Sequence, residues 1–300
     1  MWPTYDEQIH KPGFLSNTAL YLSDVLCTSY HTVKITKVHK GETVAIWGMG
    51  PIGVMVAFFA FREGAKRVIG IDNNVSRLRY ARLSHSHVVT VQWRLGWAKS
   101  KVRGLETLDY TKLSKGQSVV SKLHELVPGG VDVCLDCAAG EYAKSWLHYL
   151  EMAVYLETDT SETVNEMITS TRAWGRCGLT GVYTGFTNHL NIGSLMQRGV
   201  ALIGCGQAPC HRCKCETFPF ETRGCSCELG IIDWHELLEM IARGELDPSI
   251  MVTHRFSLSD ADKVYPLFDK RDEKDGIQKV FLETRFSAPA AAGTPELFVL

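Results

Sequence analysis

Apolar residues fall along this chain in short unbroken runs, and the segments between the runs carry helical periodicity. Thr43 to Trp47 is one such run, Pro51 to Phe61 reads as a helix, and Arg67 to Ile71 is a β-branched run that ends at Asp72. Between Gln117 and Val127 the apolar residues Val119, Val120, Leu123, Leu126 and Val127 recur at helical spacing. Gly129 and Gly130 then stop the helix ahead of a strand at Val131 to Leu135. A helical stretch ending near Trp174 is followed by strands at Cys177 to Val182 and at Val200 to Ile203. Strands that are apolar throughout are buried on both faces, so the pattern predicts an α/β chain with a doubly wound parallel sheet.

Further on, Asp233 and Glu236 have the spacing of a capping box, and Trp234, Leu237, Leu238 and Ile241 line one face of the helix expected after them. Ile250 to Phe256 and Val280 to Thr284 read as strands outside the main sheet, and Ser287 to Gly293, rich in Ala and Pro, as disordered. Two stretches disturb this order. Arg77-Leu78-Arg79-Tyr80-Ala81-Arg82 is nearly repeated at Arg94-Leu95-Gly96-Trp97-Ala98-Lys99, with no helical period between the copies, and Cys213 to Ile232 carries a jumble of cysteines. Both read as insertions, near 82–98 and 213–233, that run over the surface and leave the sheet intact.

Composition narrows the class. The chain has 300 residues, 45% apolar and 22% charged, and a net charge of -1, which suits a soluble globular protein and gives no general attraction to nucleic acid or to an anionic membrane. No run approaches the roughly 20 apolar residues of a membrane span, and the first 15 residues have no signal-peptide core, so a cytoplasmic address is expected. Cys134, Cys137 and Cys177 lie within apolar runs, where thiols act as small buried hydrophobes.

Gly48-Met49-Gly50-Pro51-Ile52-Gly53 follows a predicted strand and opens a predicted helix. Such glycines make a tight turn, admit a pyrophosphate and let helix pack on strand. Asp72 ends the next strand, 19 residues past the last glycine, where a carboxylate can accept both hydroxyls of a ribose. Alone, the loop is a weak signal, since methyltransferases use a similar one for another adenosyl cofactor, and Asp72 alone is more readily a helix cap or a solvated turn residue. Together they point to NAD, because Asp72 would repel the extra phosphate of NADP. Arg77 could cover the adenosine ribose or simply face solvent.

At this point the residues resemble a known family. Tyr21 to His31, the glycine loop, Gly181-Val182-Tyr183, Gly206 to Pro209 and Val252 to Arg255 are similar to zinc-dependent medium-chain alcohol dehydrogenases, with the glutathione-independent formaldehyde dehydrogenase branch the nearest in pattern. The resemblance runs from about Ala19 to Phe286, apart from the two irregular stretches. It implies a Rossmann domain at 19–249, preceded by an atypical segment at 1–18. It further implies a remnant of a mostly-β GroES-like catalytic domain at 250–286 and a tail at 287–300. By residue-to-residue matching it places Thr28 at the nicotinamide and Ile52, Ala138, Thr180, Gln207 and Ala208 along the cofactor.

The family reaction is hydride transfer from an alcohol or aldehyde hydrate to NAD, assisted by zinc. Most zinc ligands in that family come from an amino-terminal GroES-like domain that this sequence largely lacks. Only Asp24 matches a family metal ligand, and a catalytic zinc needs three, so zinc belongs to the family but is not expected on this chain. Seen without the family, Asp24 is an ordinary turn residue. Cys210, His211, Cys213, Cys215, Cys225 and Cys227 invite a metal reading, but their one-residue spacings fit zinc knuckles poorly. Retained untranslated sequence accounts for them, for the earlier insertion and for the missing domain together. Three classes follow: an NAD-dependent dehydrogenase impaired by truncation, a catalytically silent dinucleotide-binding module, or a methyltransferase. No catalytic residue is identified. The expected partner is a small alcohol or aldehyde, and a homo-oligomer is allowed but not required.

Overall fold

The computed structural model describes residues 19–72, 93–138, 151, 156, 158–206, 230–270, 276–287 and 294–299. Its chain forms two compact units, residues 32–206 and residues 1–31 with 207–300. In the first unit six strands make one parallel sheet: β1 (Thr43–Trp47), β2 (Arg67–Asp72), β3 (Glu106–Asp109), β4 (Val131–Asp136), β5 (Thr171–Leu179) and β6 (Ala201–Gly204). Their order is β3-β2-β1-β4-β5-β6, the doubly wound Rossmann order in which the winding reverses between β1 and β4. Helix α1 (Val25–Ile35) precedes the sheet, and α2 (Pro51–Arg62), α3 (Trp93–Lys101), α4 (Val119–Leu126), α5 (Glu162–Ser170) and α6 (Ile192–Arg198) connect its strands.

Why these segments fold so is local. β1 is Thr-Val-Ala-Ile-Trp with every residue buried, as a central strand covered on both faces requires. α2 begins with Pro51 in its first turn, where a missing N–H costs nothing, and Glu63 ends it. Seven of its residues, Gly53 to Ala57 with Phe59 and Ala60, are buried, which explains its lack of a polar face. α4 starts at a reciprocal Ser118–Ser121 capping box, and Gly129 and Gly130 follow it with φ of 91° and 97°. One core of the sheet gathers Ala45, Trp47, Ile69, Ile71, Leu123 and Met167.

Several boundaries differ from the sequence pattern. The helix expected to end near Trp174 stops at Ser170, and β5 starts at Thr171, well before Cys177. Arg172 and Arg176 hide this part of the strand by their charge; they pair with Asp132 at 2.5 Å and Glu42 at 2.6 Å. Within it the register against β4 shifts between Val131 and Val133, and Trp174 takes a φ of 61°. β3 has no counterpart among the predicted strands, because Glu106-Thr107-Leu108-Asp109 buries only Leu108. Of the stretch read as inserted at 82–98, residues 93–98 belong to α3, which packs on β2 and β3 and buries Leu95 and Ala98. Residues 73–92, the rest of that stretch included, lie outside the described residues.

The second unit has its own three-stranded parallel sheet, ordered β8-β7-β9. Strands β7 (His254–Ser257) and β8 (Val280–Glu283) are joined through helix α8 (Ala261–Lys270), and β9 is Leu297–Phe298. The strand expected from Ile250 is shorter, because Asp247 caps a 3-10 turn at Pro248–Met251. The tail supplies β9, and Phe298 packs against His254 and Phe256 with ring centroids 5.0 Å and 5.6 Å away; residues 288–293 lie outside the described residues. Helix α7 (Gly230–Ala242) begins three residues before Asp233, so the proposed capping box is inside the helix and not at its start. Leu237 and Met240 are its fully buried residues. The described cysteines are free thiols, Cys134 and Cys177 buried and Cys137 half-buried. No described helix is long and apolar enough to cross a membrane.

The loop after β5 is held by Asp159, which is buried and accepts hydrogen bonds from Thr184 N at 3.0 Å, Gly185 N at 2.8 Å and the Thr158 hydroxyl at 2.7 Å. Burial pushes this carboxyl up, but the hydrogen bonds outweigh it and hold the group below its ordinary 3.8. A depressed native value stabilises the fold fully above the unfolded value and loses that contribution as pH falls through the native one. Asp159→Ala should therefore cost about 1 to 3 kcal/mol near neutrality. In urea melts the gap from the unmodified protein should shrink below about pH 4; a gap that does not depend on pH would refute this assignment.

Candidate functional site

Three glycines of the loop between β1 and α2 have different reasons to lack a side chain. Gly48 has a φ of 89°, its N–H donates to Ile71 O at 2.8 Å, and a Cβ there would lie 2.9 Å from the Ala138 backbone. A Cβ on Gly53 would sit 1.9 Å from Gly48 O, so helix and turn can touch only if position 53 is bare. Gly50 is different. Its φ of -73° suits any residue, a Cβ would meet nothing within 4 Å, and no side chain caps the helix it starts. The protein itself gives no reason for glycine at position 50; open space before a helix N-terminus, of the kind a phosphate fills, does.

Asp72 ends β2 beside this loop and is 7% exposed. Its Oδ2 accepts the Met49 N–H at 2.7 Å and lies 3.5 Å from Arg94 Nη1. Among the described residues the contacts of this carboxylate fall on Oδ2, which takes both Met49 N and Arg94. Arg94 comes from α3, and the sequence pattern gave it no role; its near-repeat of Arg77 was the only signal. Arg77 itself lies outside the described residues.

At the reversal of the winding, the ends of β1 and β4 lie together: Cys137 N donates to Trp47 O at 2.8 Å. Asp136, fully buried, organises this edge. Its Oδ1 accepts Ala138 N at 2.9 Å, its Oδ2 accepts the Tyr183 hydroxyl at 2.7 Å, and its carbonyl accepts the N–H groups of Thr180 and Gly181 at 3.0 and 2.9 Å. Burial, then the charge of Asp136, pushes the Tyr183 phenol well above its ordinary value, so it stays a proton donor. The Thr180 hydroxyl lies 2.7 Å from that of Thr32. Cys137 and Cys205 border this region as unreactive thiols, for burial pushes both up, Cys205 to about 11. The structure thus brings Gly48, Gly50, Ile52, Gly53, Asp72, Ala138 and Thr180 to the carboxyl ends of β1, β2, β4 and β5. Asp136 was not singled out by sequence, and Tyr183 entered only within the motif Gly181-Val182-Tyr183, with no role of its own. A carboxylate closing the apolar run Val131 to Asp136 was the available sign.

Asp24 and Thr28 belong to the other unit. Thr28 is buried in α1 and donates its hydroxyl to Asp24 Oδ1 at 3.0 Å. Burial lowers the pKa of Lys279, and the charge of Asp24 partly offsets that effect. Asp24 is therefore placed among a hydroxyl donor and a cation. Among the described residues no three His, Cys, Asp or Glu side chains gather as metal ligands would. Gln207, Ala208 and the cysteine-rich stretch at 213–229 lie outside the described residues.

No family model matches the chain. It is 32% identical over 265 residues to the zinc-type alcohol dehydrogenase-like protein C1198.01 of Schizosaccharomyces pombe, covering 88% of this chain and 52% of that protein. It is 27% identical over 262 residues to the zinc-type alcohol dehydrogenase-like protein AdhB of Bacillus subtilis, covering 87% and 58%. A 90-residue match at 39% identity links it to a glutathione-independent formaldehyde dehydrogenase of Bacillus subtilis, over 29% of this chain and 22% of that protein. Among solved structures the alcohol dehydrogenase TADH of Thermus sp. ATN1 superposes with a TM-score of 0.61 at 19% identity, over 92% of this chain and 60% of that one. The chain spans about half the length of the relatives it matches.

The glycines can be separated by experiment. Gly53→Ala should destabilise the fold by roughly 3 kcal/mol or more, because the clash is with backbone. Gly50→Ala should cost no more than about 1 kcal/mol, the loss of a tolerated cap residue, yet weaken dinucleotide binding. Thermal melts with and without NAD distinguish the two; equal destabilisation by both changes would remove the argument for open space at Gly50.

Proposed function

The chain is a relative of the medium-chain zinc-type alcohol dehydrogenases, and on that premise we propose that its six-stranded unit binds NAD, as the cofactor half of an oxidoreductase. The carrying observation is Gly50, whose missing side chain faces open space at a helix N-terminus, with Asp72 bonded to the same loop from the next strand. NAD supplies the acceptor for a hydride leaving an alcohol or aldehyde-hydrate carbon. The chain's own residues bind and orient. The α2 N-terminus faces the pyrophosphate, Asp72 takes the ribose diol, and Ala138 and Thr180, fixed by Asp136, form the edge along which the rest of the cofactor lies. Thr28 at the nicotinamide, Arg77 at the ribose, and Gln207 with Ala208 at the cofactor are part of the same reading. A cytoplasmic address, formaldehyde or a short alcohol as substrate, and a homo-oligomer also belong to it.

The finer expectation is that these 300 residues alone bind NAD weakly and turn over negligibly. It rests on the absence of a three-ligand cluster among the described residues and on the partners that already engage Asp24. The same observations favour a second reading, a catalytically silent dinucleotide-binding module. Formation of NADH with formaldehyde and short alcohols, measured beside zinc content, separates the two readings. Turnover near roughly 1 per second with stoichiometric zinc would overturn both the expected impairment and the silent module.

Cofactor choice gives a further expected outcome. NAD should bind more tightly than NADP, because a 2′-phosphate would meet Asp72 with like charge. Asp72→Ala should narrow the difference by about 1 to 3 kcal/mol, the scale of a hydrogen bond to a charged group. Calorimetric titration with both dinucleotides reads it directly, and equal affinities in the unmodified protein would contradict the proposal.

A further inference from the structure

Arg94 raises a question that the glycine loop and Asp72 leave open. It lies on α3, and its guanidinium stands at the carboxylate that would receive a ribose. The contact with Asp72 Oδ2 is long, at 3.5 Å, whereas Met49 N approaches the same oxygen to 2.7 Å. Arg94 Nε is buried and has no hydrogen-bond partner. Among the described residues the guanidinium, with five donors, has the one long contact to Asp72, and its buried Nε is unused, so it is under-satisfied there. Its helix is anchored, since Leu95 and Ala98 on either side of the next turn are buried. The side chain therefore hangs from a fixed backbone and can turn toward a better acceptor.

We propose that Arg94, and not Arg77, is the residue that sets how strongly this chain discriminates NADP from NAD. This inference rests on the dinucleotide reading of the six-stranded unit. Asp72 alone presents an uncompensated negative charge to a 2′-phosphate. Arg94 offsets that charge and offers donors suited to phosphate, so the penalty against NADP is shallow and NAD is preferred by less than Asp72 alone would impose. With NAD bound, Arg94 keeps its contact with Oδ2 while Oδ1 accepts the ribose hydroxyl. With NADP bound, the guanidinium turns from the carboxylate to the phosphate. Asp72 sets the direction of the preference, and Arg94 its depth.

The internal near-repeat makes the assignment testable, because Arg77 and Arg94 open the two copies. Dissociation constants for NAD and NADP are measured by calorimetry on the full chain and on Arg94→Ala, Arg94→Lys and Arg77→Ala, with a thermal melt of each to establish that it is folded. Arg94→Ala should weaken NADP about tenfold more than NAD, the scale of losing one charge-assisted hydrogen bond. Arg94→Lys should fall between, and Arg77→Ala, at a residue read as lying on the ribose common to both dinucleotides, should weaken NAD and NADP alike and leave their ratio within about threefold of the unmodified chain. Asp72→Asn with Arg94 retained should turn the preference toward NADP, and that reversal should vanish in the double variant. If both dinucleotides bind and Arg94→Ala or Arg94→Lys leaves their ratio unchanged, Arg94 has no such role. A ratio that moves with Arg77→Ala instead would overturn the assignment in favour of Arg77. Failure of either dinucleotide to bind the unmodified, folded chain would overturn the dinucleotide reading itself, and this inference with it.

Discussion

The contact between the turn at Gly48 and the strand ends on either side of it constrains everything else at this edge of the sheet. Gly48 N–H is tied to Ile71 on β2, and the β1 carbonyl of Trp47 is tied to Cys137 beyond β4. The chain then has to turn within van der Waals contact of Ala138 and start a helix whose Gly53 touches the Gly48 carbonyl. No side chain fits at either position. With those two contacts made, the exit direction of α2 is set, its first turn points along the sheet edge, and the space before Gly50 is left over. The same turn carries Met49 N–H to Asp72, so the orientation of that carboxylate follows from the backbone of the glycine loop. Cofactor geometry of this kind is an outcome of packing, and it persists as long as the sheet does.

Legibility in the sequence followed burial. Strands covered on both faces, such as β1 and β4, were readable because continuous burial demands continuous apolar character. β3, a four-residue edge strand, was not, since it buries only Leu108 and carries Glu106 and Asp109 at its two ends. The early half of β5 was concealed by Arg172 and Arg176, whose charges are compensated by Asp132 and Glu42 from segments far away in sequence. Such compensation is invisible to any periodicity. β9 was hidden for a different reason: two residues make no pattern, and Leu297–Phe298 forms a strand only because β7 offers it an edge. The glycine loop and Asp72 were legible because each needs a particular residue at a particular place; Asp136 and Arg94 were not, because their roles depend on partners.

Asp72 and Asp136 show how little residue type alone decides. Each is a buried carboxylate that closes an apolar strand, and each needs compensation to remain there. Asp136 has both oxygens engaged by Ala138 N and Tyr183, and its carbonyl holds the start of the next loop, so it is spent on keeping two strand ends together. Among the described residues Asp72 is engaged through Oδ2. β2 ends beside the glycine turn, to which Asp72 is bonded through Met49 N, whereas β4 ends between β1 and β5. A substitution at Asp136 would be felt as loss of structure at the cofactor edge, and a substitution at Asp72 as a change in what that edge accepts.

The cofactor site and a metal site make unequal demands on a chain. The glycine turn and Asp72, on which the proposed cofactor site chiefly rests, consist of backbone groups, absent side chains and one carboxylate within the six-stranded unit. The second requires three side chains from separate segments to converge with correct geometry and deprotonated donors. Irregular sequence in a connection barely affects the first kind. Lengthening the link between β2 and α3 to the twenty residues at 73–92 adds only about 1 kcal/mol of closure entropy over a short loop, and α3 still packs on β2 and β3 through Leu95 and Ala98. The second kind fails if any one segment is displaced. The Thr28–Asp24 contact is of neither kind: it joins residues four apart and needs no convergence of segments, whereas the glycine turn depends on strand ends distant in sequence.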